Sequence, residues 1–396
     1  MRPILICLLA LLPVLAPAQH HDHGTTAQGA TPPRAARPAL GASAAFGPAG
    51  RLWAVHAEPQ HVVLSVSDDA GRHWSRVGPV NADPEPIAAT GDNRPKIAFG
   101  KAGQLLVTWT QPLDKPYTGF IRLARAPSPG AGFAAPLTVH RDRQPITHRF
   151  DAITVAQDGR VVVSWIDKRD LAAARAAGSD YRGAAVYYAT SRDGGVSFAA
   201  EQRLAEHSCE CCRIALAPRR DGSIQALWRH VFAPNIRDHA TARITEEGGA
   251  SAARRATQDG WALDACPHHG PSLVEGPDGT LHAVWFTGAE GREGPWYGQL
   301  TDDGMAHPMR LPDAGAAHAD LAVSGDTVAI AWKRFDGTAT QLRVLRSADG
   351  GRSWGEPVTV AQVEDASGQP FVLVHEGRFH VFWHSRAKPL GTWSLP

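Results

Sequence analysis

The chain has 396 residues, 43% of them hydrophobic and 20% charged, with a formal net charge of +1. That balance is globular and carries no basic surplus, which argues against a nucleic-acid partner. Gly (39) and Pro (30) recur along the whole length, a pattern of many short strands and turns rather than long helices.

Residues 1–18 read as a secretory signal. Arg2 supplies the positive start, Ile4 to Leu15 the apolar core, and Ala16-Pro17-Ala18 the small-residue cleavage site, with the cut expected after Ala18. The apolar run is too short to span a bilayer and no other stretch qualifies. The mature protein is therefore expected to be periplasmic or secreted, where disulfides form. It then begins Gln19-His20-His21-Asp22-His23. A free amine with histidine in third place suits square-planar Cu(II) or Ni(II), so His20, His21 and His23 are candidate metal ligands. The other reading is a solvated polar tail. Residues 24–37 resemble a flexible linker, leaving 38–396 as the folded domain.

Within that domain a turn-plus-strand pattern ending in tryptophan repeats as GQLLVTW, DGRVVVSW, DGSIQALW, DGTLHAVW, GDTVAIAW and GRFHVFW. The tryptophans are Trp109, Trp165, Trp228, Trp285, Trp332 and Trp383, and an earlier copy, GRLWAVH, places His56 there. Each copy follows a short apolar run and precedes further alternating stretches, giving about four strands in about fifty residues, the size of a propeller blade. The predicted fold is all-β: a single β-propeller of seven blades of four antiparallel strands, with six blades as the alternative. The last unit shows three strands, and its missing outer strand is expected from the segment before residue 38. The aligned tryptophans are expected between blades.

Three segments, SDDAGRHW (67–74), SRDGGVSF (191–198) and SADGGRSW (347–354), share S-x-D-x-G-x-x-[WF]. The Asp accepts backbone N–H bonds, the Gly takes a conformation other residues avoid, and the aromatic plugs the blade. These segments resemble the Asp-box, or bacterial neuraminidase repeat, of the sialidase superfamily, and the likeness covers nearly all of 38–396. The resemblance implies the fold. It says little about activity, because in that superfamily the box lies on an outer hairpin far from the active centre.

The resemblance also implies three arginines gripping a substrate carboxylate, an aspartate acid and a tyrosine nucleophile. Candidates are Arg94, Arg149 and Arg213, each leading into an inner strand, with Asp151 beside Arg149. The pattern departs from the family in two ways: Arg94-Pro95 lacks the residue between Arg and Pro, and no tyrosine follows Tyr297. The bland reading of the arginines is salt bridging between blades.

The remaining chemistry lies in HSCECCRI (207–214) and DACPHHGP (264–271). Both lead into inner strands of adjacent units, so ring closure should bring them to one mouth, near Arg94, His148, Arg149, Asp151 and His318. One reading is disulfides, for example Cys266 with Cys209, Cys211 or Cys212. Another is a metal site of Cys209, Cys211, Cys212 and Cys266 with His268 or His269, suited to copper or zinc. A third is a thiol catalyst with His207, His268 or His269 as base. His282 and His380, which alternate with apolar residues, read as structural.

The sequence thus points to an exported, monomeric propeller binding a ligand at its central mouth, the ligand being a transition metal, copper first. The alternatives are an exo-sialidase-type glycoside hydrolase acting on sialylated glycans, and a protein-interaction scaffold stapled by disulfides.

Overall fold

The computed structural model describes residues 40–395. The signal, the His20–His21–His23 tail and the linker lie outside these residues, as does the segment expected to complete the last blade. Seven antiparallel sheets follow one another along the chain, at 42–79, 96–138, 148–208, 215–255, 272–310, 316–363 and 371–394. The first six have four strands and the seventh has three, each strand pairing with the next in sequence. One helix, Arg169–Ala176, interrupts the third sheet. Among the described residues no helix is long and apolar enough to cross a membrane.

The first strands of the sheets are Ala42–Phe46, Lys96–Phe99, His148–Val155, Ala215–Pro218, Ser272–Glu275, Ala316–Ser324 and Phe371–His375. Each contacts the first strand of the next sheet, and the seventh contacts the first, so the ring closes around a shared axis. The fold is a seven-bladed β-propeller. Second strands are buried on both faces because a blade lies on each side of them. Val161–Asp167 is buried throughout, and a strand covered twice need not alternate. Outer strands such as Ser75–Pro79 and Val358–Val363 are mostly exposed.

Each of the seven gaps between neighbouring sheets holds its own apolar cluster. Trp109, Trp165, Trp228, Trp332 and Trp383 each join one of them, and Trp285 is equally buried. The indoles are also pinned by charge. Trp109, Trp285 and Trp332 donate through Nε1 to Glu85, Asp259 and Asp313 at 2.6, 3.1 and 3.0 Å. Arg122, Arg292 and Arg343 reach the same carboxylates at 3.4, 3.1 and 2.8 Å. Each acid comes from the connection entering the blade that carries the tryptophan, so a carboxylate between an indole and a guanidinium fixes how that connection enters the ring.

The S-x-D-x-G-x-x-[WF] turns work as their chemistry predicts. Ser347 Oγ donates to Asp349 Oδ1 at 2.8 Å and accepts Gly351 N–H at 2.8 Å, while Asp349 Oδ1 accepts Ser353 N–H at 2.8 Å. Gly351 has φ +85 and lies so close to Tyr297 of the preceding sheet that no side chain fits. The motif aromatics reach across the gap: Trp354 packs edge-on against Tyr297 at 4.7 Å, and Trp74 against Phe382 at 6.3 Å.

Candidate metal centre and central cavity

Cys209, Cys211 and Cys212 leave the last strand of the third sheet and turn inward before the fourth. Cys209 N–H bonds to Arg229 O at 2.9 Å at one end of the turn, and Arg213 N–H bonds to Asp92 Oδ2 at 3.3 Å at the other. Between these anchors the three side chains point into the gap between the third and fourth sheets, packed with Phe150, Ile214 and Trp228. Their Sγ atoms lie 3.7 Å (Cys209–Cys211) and 3.6 Å (Cys209–Cys212) apart, and all three fall within 4.8 Å of one another. Metal–sulfur bonds of about 2.3 Å put sulfurs about 3.8 Å apart in a tetrahedral site and about 4.0 Å in a trigonal one. The cluster is therefore of the size that one ion requires.

Its electrostatics favour an anion. Thiol donors on Cys211 and Cys212 pull Cys209 well below the usual thiol range, while Cys209, then Cys212 and Cys266, push Cys211 up. Burial, with help from Cys209, raises Cys212. Arg229 adds a buried positive charge nearby, and it has no carboxylate partner among the described residues. Its guanidinium is held by carbonyls instead: Arg237 O at 2.7 Å, His269 O at 2.9 Å and Phe286 O at 2.7 Å. Its charge is one of the smaller influences that lower Cys209, after the Cys211 and Cys212 thiols.

Cys266 is exposed, and its strongest perturbing neighbour is Cys211, whose thiol lowers its pKa. The two sulfur-bearing segments meet where Arg213, at the end of one, donates through Nε to Pro271 O of the other at 2.7 Å, as ring closure requires. The pairing of Cys266 with Cys209, Cys211 or Cys212 is not made, and all four thiols are free. Neither neighbouring histidine belongs to the sulfur cluster. His268 is exposed, with φ +54. His269 stacks between Phe286 at 3.9 Å and His318 at 4.5 Å. Burial brings His269 down to about 4 and His318 to about 3, so both are neutral at ordinary pH. The buried Nδ1 of His269 has no partner among the described residues.

At the hub the arginines are occupied. Arg94 Nε donates to Ser43 Oγ at 3.1 Å, its Nη1 to Gln369 Oε1 at 3.2 Å, and its face lies 4.0 Å over Phe371. Arg213 donates to Pro271 O at 2.7 Å and Ala319 O at 2.6 Å. Asp92 lies between them, 3.6 Å from Arg94 and 3.7 Å from Arg213. Burial opposes its charge, but the two guanidiniums hold its carboxyl below the usual range. Arg149 is elsewhere, over Tyr117 and Phe150. Asp151 accepts Thr108 Oγ1 at 2.7 Å and Lys96 Nζ at 3.3 Å. Arg94 and Arg213 therefore share one acid, while Arg149 and Asp151 part company despite being close in sequence. His282 and His380 bond to Tyr297 and Ser394 within their sheets.

A cavity of about 240 Å³ lies on the axis, and every first strand or its lead-in contributes to its wall, through Ser43, Lys96, Ala152, Leu216, Leu273, Asp320 and Phe371. No tyrosine is among its lining residues. Two residues that matter here escaped the sequence reading, Asp92 and Arg229. Arg229 had a signal, because it directly follows the blade tryptophan, where Thr110, Ile166 and Phe286 stand in other copies. Lys333 is the other such cation. It bonds to Ser367 O at 3.0 Å, and burial brings it down to about 8.

No protein-family model matches the chain, and no curated protein matches it. Solved structures do. A PL25 ulvan lyase bound to -[GlcA(1-4)Rha3S]- superposes with a TM-score of 0.59 at 11% identity, over 87% of this chain and 89% of its own. A point mutant of the α-L-arabinofuranosidase Arb93A from Fusarium graminearum, with an iminosugar inhibitor, gives 0.50 at 14% identity, over 82% and 92%. The Hadza microbial sialidase Hz136 gives 0.47 at 13% identity, over 84% and 70%. At these identities the likeness is one of fold alone, and the chain is a seven-bladed β-propeller.

Proposed function

We propose that this is an exported propeller that binds a soft metal ion, copper(I) before zinc, through Cys209, Cys211 and Cys212. The observation that carries the reading is three buried sulfurs on one turn, Cys209 3.7 and 3.6 Å from the other two and all within 4.8 Å, near a buried guanidinium without a carboxylate among the described residues. Thiolate-only donor sets select Cu(I) and zinc, and three-coordination favours the copper ion. Arg229 offsets part of the negative charge such a thiolate complex carries. Export follows from the reading of residues 1–18, and a cut after Ala18 would place His21 third, adding a separate Cu(II) position.

The test is anaerobic loading of purified mature protein with Cu(I) or Zn(II), desalting and elemental analysis. About one ion per chain should stay with the wild type and be lost from the triple Cys→Ser variant at 209, 211 and 212. Equal retention by both proteins would discard the reading. So would thiol titration showing the three cysteines oxidised in freshly isolated protein.

The axial cavity supports a second reading, a glycan ligand, because the structural neighbours include an ulvan lyase and an arabinofuranosidase. Exo-sialidase chemistry has less support. Arg94 and Arg213 are engaged by Asp92 and carbonyls, and the cavity lacks a tyrosine. Turnover of a fluorogenic sialoside, lost on Arg94→Ala, would favour that reading over the metal one.

A further inference from the structure

The sulfur cluster presents an access problem. Cys209, Cys211 and Cys212 are 0, 4 and 2% exposed. An ion bound by them has no direct way in or out. Cys266 is the one exposed cysteine among the described residues, and it belongs to a different blade. The segment that follows it is tied twice to Arg213, at the end of the cysteine turn, and once to Arg229, whose carbonyl holds Cys209. Arg213 Nε donates to Pro271 O at 2.7 Å, and Arg229 Nη2 donates to His269 O at 2.9 Å. Gly270 lies directly on the Arg213 backbone, where a Cβ would come within 2.6 Å of its N and 2.8 Å of its O. These ties hold the 268–271 segment against the end of the cysteine turn, while Cys266, just before it, stays at the surface.

Building on the metal-binding reading, we propose that Cys266 is the transfer thiol of the site. It takes a soft monovalent ion from an external thiolate or chelator and hands it to Cys211 and the buried trio, and the reverse path releases it. The step is ligand exchange without redox change. Cys266 gives up its proton as its sulfur bonds to Cu(I), and the donor ligand leaves: a thiolate donor takes up a proton, a nitrogen chelator leaves the proton to the buffer, and the ion remains Cu(I). Cys211 then displaces Cys266 in the same manner. The site is thereby one for exchanging metal with a partner ligand rather than for storing it.

The experiment compares wild type, Cys266→Ser and Cys209→Ser, using Cu(I) delivered as its coloured bicinchoninate complex, with stopped-flow rates and equilibrium competition measured in parallel. Cys266→Ser should leave the equilibrium affinity within about threefold of wild type, because Cys266 is not one of the three resident ligands, while uptake and removal slow at least about tenfold. Cys209→Ser should lose affinity itself. If Cys266→Ser loses affinity as Cys209→Ser does, Cys266 is a resident ligand and the transfer role falls. If rates and affinity are both unchanged, Cys266 is a bystander and the role falls equally. Failure of the wild type to take up Cu(I) would instead overturn the metal-binding reading, a separate result from either outcome.

Discussion

Replacing Trp332 by Phe tests the bond that pins a blade. Its buried indole donates to Asp313 Oδ2 at 3.0 Å, and Asp313 also accepts Arg343 Nε at 2.8 Å. Trp228 is an internal control. It holds the same place in the fourth sheet and is equally buried, but its Nε1 has no partner among the described residues. Trp→Phe at either site removes the same ring atoms, so the apolar losses nearly cancel in the comparison. What remains is the hydrogen bond. A bond to a charged acceptor contributes about 1.5–3 kcal/mol, whereas removing an unpaired buried N–H at position 228 relieves a penalty. Trp332→Phe should therefore be less stable than Trp228→Phe by at least about 2 kcal/mol, more than a tenfold difference in the folding equilibrium. Urea unfolding followed by far-UV circular dichroism, with unchanged slopes, measures this directly. Equal midpoints for the two variants would refute the argument that carboxylate–indole bonds fix the blades.

Gly351→Ala should cost more than Gly130→Ala. Both glycines have strongly positive φ, +85 and +89, but only Gly351 has a side chain of the neighbouring blade against it. The excess should be about 1–3 kcal/mol in the same unfolding assay, the cost of overpacking; equal losses would show that Tyr297 gives way. Arg229→Met leaves three carbonyls without their donor, so stability should fall by about 3 kcal/mol or more. The Cys209 thiol should also titrate at higher pH in this variant, read by thiolate absorbance; an unmoved thiol would remove Arg229 as its counter-charge. Acid should destabilise the fold before carboxylates protonate. Burial holds His230, His269 and His384 at about 4, and His140 and His318 at about 3. Unfolded histidines titrate near about 6.5, so the unfolded chain binds more protons below that pH. The stability from keeping these rings neutral is complete above pH ~6.5 and is lost as pH falls towards ~4 and below. A flat urea midpoint between pH 7.5 and 5 would contradict this.

The ring was legible because one large residue marks six of the seven repeats. Six tryptophans at nearly regular spacing, each closing an apolar strand, announce the blades without any knowledge of long-range contacts. The sulfur turn was legible for the same local reason, since C-x-C-C places three thiols within one bend. Other features depend on contacts far apart in sequence. Asp92 meets Arg213 across 121 positions, and nothing around GDNRP advertises that Asp92 would take up two candidate substrate-binding arginines. His269 looked like a ligand because it follows Cys266 closely, but an aromatic neighbour from the same blade and a histidine from the next captured its ring. Adjacency also misled at Arg149 and Asp151, where a bulge in the third sheet's first strand separates the roles of close neighbours.

Among the described residues the seventh blade has one strand fewer than its fellows, and the apolar seam joining it to the first blade is built on Ala42, Ala54, Phe382 and Leu390. A circle made of repeating parts is only as tight as its clasp. Thermal breathing should begin at this join, and the main chain of 391–394, unpaired along one side among the described residues, should trade its amide protons soonest. Deuterium uptake there gauges whether the circle is clenched or slack, and it does so from the arc farthest from the sulfurs.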